Sequence, residues 1–312
     1  MRKMYTCTLV ISLLFNLIAH SKILATNVTV NTQDTNIYNV TMKQDLLCLM
    51  LAYPEYITNI EENDGYIYLV MKSGKKLRYD DRLQKNSETK LINPDLQDTL
   101  EQSYPLTPIK TIMGENFDPG RCRSYGLLSE VYGNSKQVIE SNLTKVKVGY
   151  KNYQFSKSSS ASSSLQSVMK DLNTLAQSDS NVRKCLSPCS GTFNYRVISG
   201  TNRLSPHAYG IAIDLASDKR DYWKWASKEE GEKRLISYSN ELVEIFEQNG
   251  FVWGGKWSHF DILHFEYRPE IILKSRYFRS SINLQKAWYE GVPSKDEPIK
   301  KLIEKIDKII GV

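Results

Sequence analysis

Two passages decide the reading: Ser205-Pro-His207-Ala-Tyr-Gly210-Ile-Ala-Ile-Asp214 and Trp253-Gly-Gly-Lys-Trp257-Ser-His-Phe-Asp261-Ile-Leu-His264-Phe-Glu266. From Tyr209 onward apolar residues alternate. Tyr209, Ile211, Ile213 and Leu215 fall on one face of an extended chain, and Gly210, Ala212 and Asp214 on the other. Asp214 therefore projects from a face kept clear by small residues. His207 has the wrong parity to share that face in one straight strand, so the chain must bend between them, and Gly210 permits the bend. In the second passage Leu263, Phe265 and Tyr267 alternate with His264, Glu266 and Arg268, which places His264 on the polar face of another strand. Asp261 precedes it where a turn can swing the carboxylate alongside.

A hydrolytic metal centre needs two or three neutral imidazoles, a carboxylate and one position left for water. His207, Asp214 and His264 supply such a set. Once a leader is removed, the remaining histidines, His207, His259 and His264, all lie in this stretch. His259 is left out of the ligand set, because three ligands and a water complete a tetrahedral site. Glu266 shares a strand face with His264 and is expected to orient a ligand from behind.

At these residues the chain resembles the VanY-type D-alanyl-D-alanine carboxypeptidase family of zinc peptidases. That group includes cell-wall carboxypeptidases, D,D-dipeptidases and L-alanyl-D-glutamate endopeptidases. The resemblance runs through Phe193-Asn-Tyr-Arg196, the His207 to Asp214 passage, Phe246-Glu-Gln-Asn-Gly-Phe-Val-Trp-Gly-Gly255 and Asp261-Ile-Leu-His264-Phe-Glu-Tyr-Arg-Pro-Glu270. It implies an α+β fold of the hedgehog and D,D-peptidase kind, a small antiparallel sheet with flanking helices around a zinc site, here with an N-terminal β-rich extension. It also implies one Zn2+ held by His207, Asp214 and His264, with Asp261 as the acid that activates water. Arg196 would be the cation facing the reacting carbonyl or a substrate carboxylate, with Arg203 its rival. Arg203, Ser205 and Trp257 are the expected substrate contacts. The implied partner is a peptidoglycan stem peptide, cut either between L-Ala and D-Glu or at the terminal D-Ala. The Trp-Gly-Gly-x-Trp stretch resembles the endopeptidase branch. A non-catalytic zinc-containing wall-binding module is the alternative, against which the presence of Asp261 argues.

Composition supports an exported reading. Met1-Arg2-Lys3 precedes an apolar run from Leu9 to Ala19, with candidate cleavage after Ser21 or Ala25, so residues 1–25 read as a signal peptide; an uncleaved anchor is the other possibility. The leader carries Arg2, Lys3 and Lys22 and no acid, so the formal charge falls from +6 to +3 on its removal. Such a mild balance, with no dense Lys/Arg patch, argues against nucleic acid as a partner. The expected location is extracytoplasmic, in the periplasm or at the cell wall. Beyond the leader stand Cys48, Cys122, Cys185 and Cys189; their most economical pairing is Cys185 with Cys189 and Cys48 with Cys122.

The division expected is an extension or small subdomain over 26–115, a zinc peptidase domain over 116–280 and an amphipathic helical tail over 281–312. Thr26 to Met42 shows no period and reads as an extended arm. Tyr66-Ile-Tyr-Leu-Val-Met71 and Lys76-Leu-Arg-Tyr79 flank a Gly turn and read as a hairpin. Asp80 to Thr107 reads as a polar surface connection. Arg121 and Arg123 are within reach of a carboxylate by type, with solvation at the surface the expectation for each. Lys145 to Tyr150 alternates as a strand, and Thr192 to Ile198 is a candidate strand delivering Arg196. Leu165, Val168, Met169, Leu172 and Leu175 form one helical stripe. Trp223 and Trp225 form either a cleft wall or ordinary core. Ser227 caps a helix that runs to Gly250. Ile299, Leu302, Ile303, Ile306 and Ile310 mark a docking helix at the C-terminal end, with contact to a membrane surface as the lesser reading.

Overall fold

A computed structural model describes residues 32–279 and 281–311. The expected signal segment, residues 1–25, lies outside them. The elements run α1 (Thr32–Ala52), β1 (Ile57–Asn63), β2 (Tyr66–Met71), β3 (Lys76–Arg78), α2 (Ser87–Ile92), α3 (Leu96–Leu100), α4 (Tyr125–Tyr132), α5 (Lys136–Ser141), β4 (Leu143–Val148) and β5 (Lys151–Ser156). They continue α6 (Ala161–Ser178), α7 (Ser180–Leu186), β6 (Ala212–Asp214), α8 (Lys228–Ser237), α9 (Asn240–Gln248), β7 (Phe251–Trp253), β8 (His264–Tyr267), α10 (Pro269–Tyr277) and α11 (Glu297–Ile310).

The sheet that matters for the site is antiparallel, in the order β6-β8-β7. Its register sets Ala212 opposite Glu266, Ile213 opposite Phe265 and Asp214 opposite His264. Side chains alternate between faces, so one face carries Ile213, Phe265, Trp253 and Phe251 and the other Asp214, His264 and Glu266. The apolar face is closed by α9, whose Phe246 ring stacks on Phe265 at 3.9 Å and meets Phe251 edge-on at 5.3 Å. Burying each such ring contributes about 1.5–3 kcal/mol. The other face is buried as well, since all four residues of β8 are buried. Ion pairs replace solvent there.

Several expectations are met. The hairpin forms, with Val70 opposite Lys76, and β1 joins it as a third strand. The Lys145 segment lies in β4, paired with β5. The α6 stripe is buried through Leu165, Val168, Met169 and Leu172. α11 docks with Ile303 and Ile306 inward, and its Asp307 receives Lys43 of α1 at 2.7 Å. None of the described helices is long and apolar enough to cross a membrane.

Others are corrected. The segment expected as an extended arm is helical from Thr32: residues 33–37 are exposed, but the helix runs on into Met42, Leu46, Leu47, Leu49 and Met50, all buried, which anchor it. A helix with a polar, exposed start and an end buried on more than one side gives no single amphipathic stripe to read. The 80–107 connection is partly interior. Leu96, Leu100 and Tyr104 are buried, and Lys85 sits among Asp81, Asp95 and Asp98 at 2.8, 3.0 and 2.7 Å. The helix from Ser227 is two helices. Ser227 and Glu230 form a capping box, Tyr238 turns extended, and Ser239 caps anew by accepting from the Leu242 amide. Thr192 to Ile198 forms no regular strand; Val197 only bridges Leu204. The four described cysteines are free thiols, Cys48 and Cys185 buried and Cys122 and Cys189 partly so, so neither expected disulfide is formed.

Candidate active site

His207 belongs to a short 3-10 turn, Pro206–Tyr209, which Ser205 caps by accepting from the His207 amide at 3.3 Å. Gly210 ends the turn at φ +68°, and a Cβ there would meet Leu143 at 2.6 Å. This is the bend required by parity, and it starts β6. Asp214 at the far end of β6 then faces His264 across the ladder.

The three side chains converge. His207 Nε2 lies 3.2 Å from one Asp214 oxygen, and His264 Nδ1 lies 2.9 Å from the other. The two ring nitrogens are 3.3 Å apart. His207 Nδ1 is engaged by the Thr192 carbonyl at 2.5 Å, which leaves Nε2 with its lone pair toward the cluster when that bond is a donation. One donor atom from each residue falls within 4.8 Å of the others, the spacing required of a shared cation. Two imidazole nitrogens and a carboxylate suit a borderline divalent ion. Burial opposes ionisation of Asp214, yet hydrogen bonds from His207 and His264 hold its carboxyl well below the usual range. Burial also disfavours charge on His264, but its bond to Asp214 and the nearby Glu266 carboxylate lift it to about 10, so a cation entering here displaces a proton.

Asp261 stands at the edge of this group. Its amide donates to Gly254 O at 2.9 Å, and its carbonyl accepts from the His264 amide at 3.1 Å. A Cβ on Gly254 would come within 2.5 Å of that same carbonyl, so glycine is required by close approach. Desolvation pushes the Asp261 carboxyl up to about 6, the nearby Asp214 charge adding to it and the two histidines opposing.

Glu266 is completely buried, and its Oε2 lies 3.7 Å from His264 Nε2. It is gripped by Arg123, whose Nε and Nη2 donate at 2.8 and 2.6 Å, while Arg268 stands 3.6 Å away. Arg123 is therefore interior, not solvated as expected. The turn of sequence around it carried no apolar pattern, and its acid partner is far along the chain. Arg268 passes the network on to Glu270 at 2.6 Å, and Glu270 accepts from Tyr53 at 2.7 Å.

A cleft of about 760 Å3 opens over the cluster, lined among others by His207, Asp214, Asp261, Arg196, Arg203 and Trp257. Arg196 is exposed on its wall. Arg203 also reaches it, while its Nη1 donates to Leu91 O at 2.6 Å. Trp257 is buried, donates to Pro119 O at 2.7 Å and sets its ring 5.7 Å from His264. Trp223 and Trp225 both line the cleft. His259 stays out of the triad, bonded to Asp118 at 2.7 Å. A second acidic group, Asp80, Asp81 and Asp95, is occupied by the Lys85 ammonium.

The arrangement is thus a buried two-histidine, one-aspartate cluster on the edge of a small antiparallel sheet, with a raised carboxyl beside it. Residues 199–267 match the family model described as D-alanyl-D-alanine carboxypeptidase. The chain is also 42% identical over 67 residues to the peptidoglycan L-alanyl-D-glutamate endopeptidase CwlK of Bacillus subtilis (strain 168). That overlap covers 21% of this chain and 40% of the relative. No solved structure matches the chain. These two matches show the VanY-type resemblance over the segment that holds the cluster.

Proposed function

We propose that the chain is an exported zinc peptidase that hydrolyses peptide bonds in peptidoglycan stem peptides. The observation that carries this reading is the convergence of His207 Nε2, Asp214 and His264 Nδ1 beside the raised Asp261 carboxyl in one open cleft. His207, Asp214 and His264 would hold one Zn2+. When bound, the ion polarises a carbonyl oxygen and lowers the pKa of its water toward about 7.

The remaining chemistry belongs to the chain. Asp261 accepts the proton of the attacking water and returns it to the leaving amine, a role suited to a carboxyl near neutrality. Arg196, which makes no ion pair among the described residues and is exposed on the cleft wall, holds a substrate carboxylate or the developing oxyanion. Arg203 is committed in part to Leu91 and serves as the second cation. Ser205 contributes from beneath by fixing the His207 turn, and Trp257 forms the cleft wall. Glu266 keeps the His264 ring in place, itself fixed by Arg123. The relative named above is an L-alanyl-D-glutamate endopeptidase, and the Trp253 to Trp257 stretch resembles that branch, so cleavage between L-Ala and D-Glu is preferred over loss of terminal D-Ala.

The test is mass spectrometry of purified peptidoglycan fragments incubated with the full chain and zinc. New amino-terminal D-Glu assigns the endopeptidase, and loss of terminal D-Ala the carboxypeptidase. Unchanged fragments with folded, zinc-loaded protein would replace this reading with a zinc-containing wall-binding module.

A further inference from the structure

Trp225 is 74% exposed, yet it lines the same cleft as the His207, Asp214 and His264 cluster. It does not sit on a loose loop. Tyr222 bridges Asp261 in antiparallel fashion, the Trp223 amide donates to Phe260 O at 3.0 Å, and the Ile262 amide donates to Asp221 O at 2.7 Å. The segment is thereby laced to the backbone on both sides of Asp261. The Trp225 amide closes a turn onto Tyr222 O at 2.9 Å, and its ring rests edge-on against Tyr222 at 5.1 Å. Trp223 is braced in turn against His259 at 4.7 Å. The result is an aromatic ledge held in fixed register with the candidate base.

A fixed, uncovered indole gains free energy from whatever ligand covers its apolar face. The argument about what covers it rests on the function proposed above. Stem peptides offer methyl, carboxylate and amine side chains, and none presents a broad apolar surface. The sugar carrying the stem does, through the C–H face of its pyranose ring. Lys224 lines the cleft beside the ledge and supplies a donor for hydroxyl and N-acetyl groups.

We propose that Trp225, backed by Tyr222, is a saccharide-stacking platform that makes glycan-attached stem peptides the preferred substrates over free ones. The L-Ala–D-Glu bond lies one residue from the sugar, whereas the terminal D-Ala lies at the far end of the stem. The platform therefore favours the sugar-proximal cut.

The experiment compares kcat/KM of the full zinc-loaded chain on a disaccharide-bearing stem peptide and on the same peptide without sugar. The intact protein should favour the former. Trp225→Ala should reduce that preference about tenfold, equivalent to about 1.4 kcal/mol of lost contact, with the change in KM and not in kcat. Trp225→Phe should restore part of it. An unchanged preference in Trp225→Ala overturns the platform. Should neither peptide be cut, the peptidase reading fails on its own, and the platform is then judged by binding of an N-acetylglucosamine oligomer. Quenching of indole fluorescence that disappears in Trp225→Ala upholds it, and no quenching in the intact chain overturns it.

Discussion

Asp261 and Glu266 do opposite things with the same functional group. Asp261 has lost water and, among the described residues, gained no bonded cation, so its carboxyl is pushed up to about 6. Glu266 has lost more water, but Arg123 and its neighbours hold its carboxyl far below the usual range. One is poised to take a proton and the other is not. Asp261→Ala should retain fold and zinc while losing about 10²–10⁴ in kcat, the usual share of a general acid-base group; wild-type turnover in a zinc-replete sample would refute the role. A base works only when deprotonated, so lowering the pH through its pKa removes activity. The acid limb of kcat/KM is expected at about pH 6 or below, since a bound cation can only draw the value down. A limb above pH 7 would count against Asp261. Glu266→Gln strands the Arg123 guanidinium in the interior and should cost about 3–5 kcal/mol in denaturant unfolding, with much of it recovered by pairing the change with Arg123→Met. The convergence of His207, Asp214 and His264 was legible in the sequence because strand parity is a local property. Arg123 was not, since its partner lies far along the chain and a lone arginine after a turn carries no period.

The elements around the site explain which parts of the sequence spoke clearly. β6 and β8 announced themselves by alternation, and the Gly210 bend followed from mismatched parity. α6 and α11 showed stripes because each packs on one side. α1 showed none because its first turns are polar and exposed and only its later part is enclosed, and the Ser239 break was masked by apolar residues that continue in helical spacing on either side. The candidate Arg196 strand failed for a different reason: its backbone pairs with the short return at Arg203 to Ser205 through the single Val197–Leu204 bridge, too little to make a ladder. Gly254 acts at this level, since it allows the β7 end to press against the Asp261 carbonyl. Gly254→Ala must move that backbone. A shift of about 1 Å at a catalytic group costs about 10²-fold, so kcat should fall by that order while zinc content is kept. Near-normal kcat would show that the contact is slack.

Across the whole molecule, one continuous set of buried apolar side chains joins the N-terminal helix, the site sheet and the last helix. The Glu266, Arg268, Glu270 and Tyr53 chain of contacts runs through the same interior, and Lys274 of α10 meets Asp45 of α1 at 2.6 Å. Binding at the site therefore reports on global stability. Zinc at about 100 times its Kd adds about 2.7 kcal/mol to unfolding, which should raise Tm by about 5–10 °C for a domain of this size. Chelation should reverse the shift, and His207→Ala should abolish it; an identical shift in that variant would place the ion elsewhere. The ladder that sets Asp214 opposite His264 has a further consequence, for how such a chain tolerates changes of length. Between these two residues the polypeptide leaves β6, builds α8 and α9 and comes back through β7, and the rungs on either side of β8 record where it must return. Residues inserted at the exposed turn ahead of α8, away from β7 and the Asp261 turn, leave this pairing intact, whereas a single residue added inside β6 turns Asp214 to the opposite face. Descendants of this sequence are thus free to lengthen the cleft's rim and forbidden to lengthen its floor.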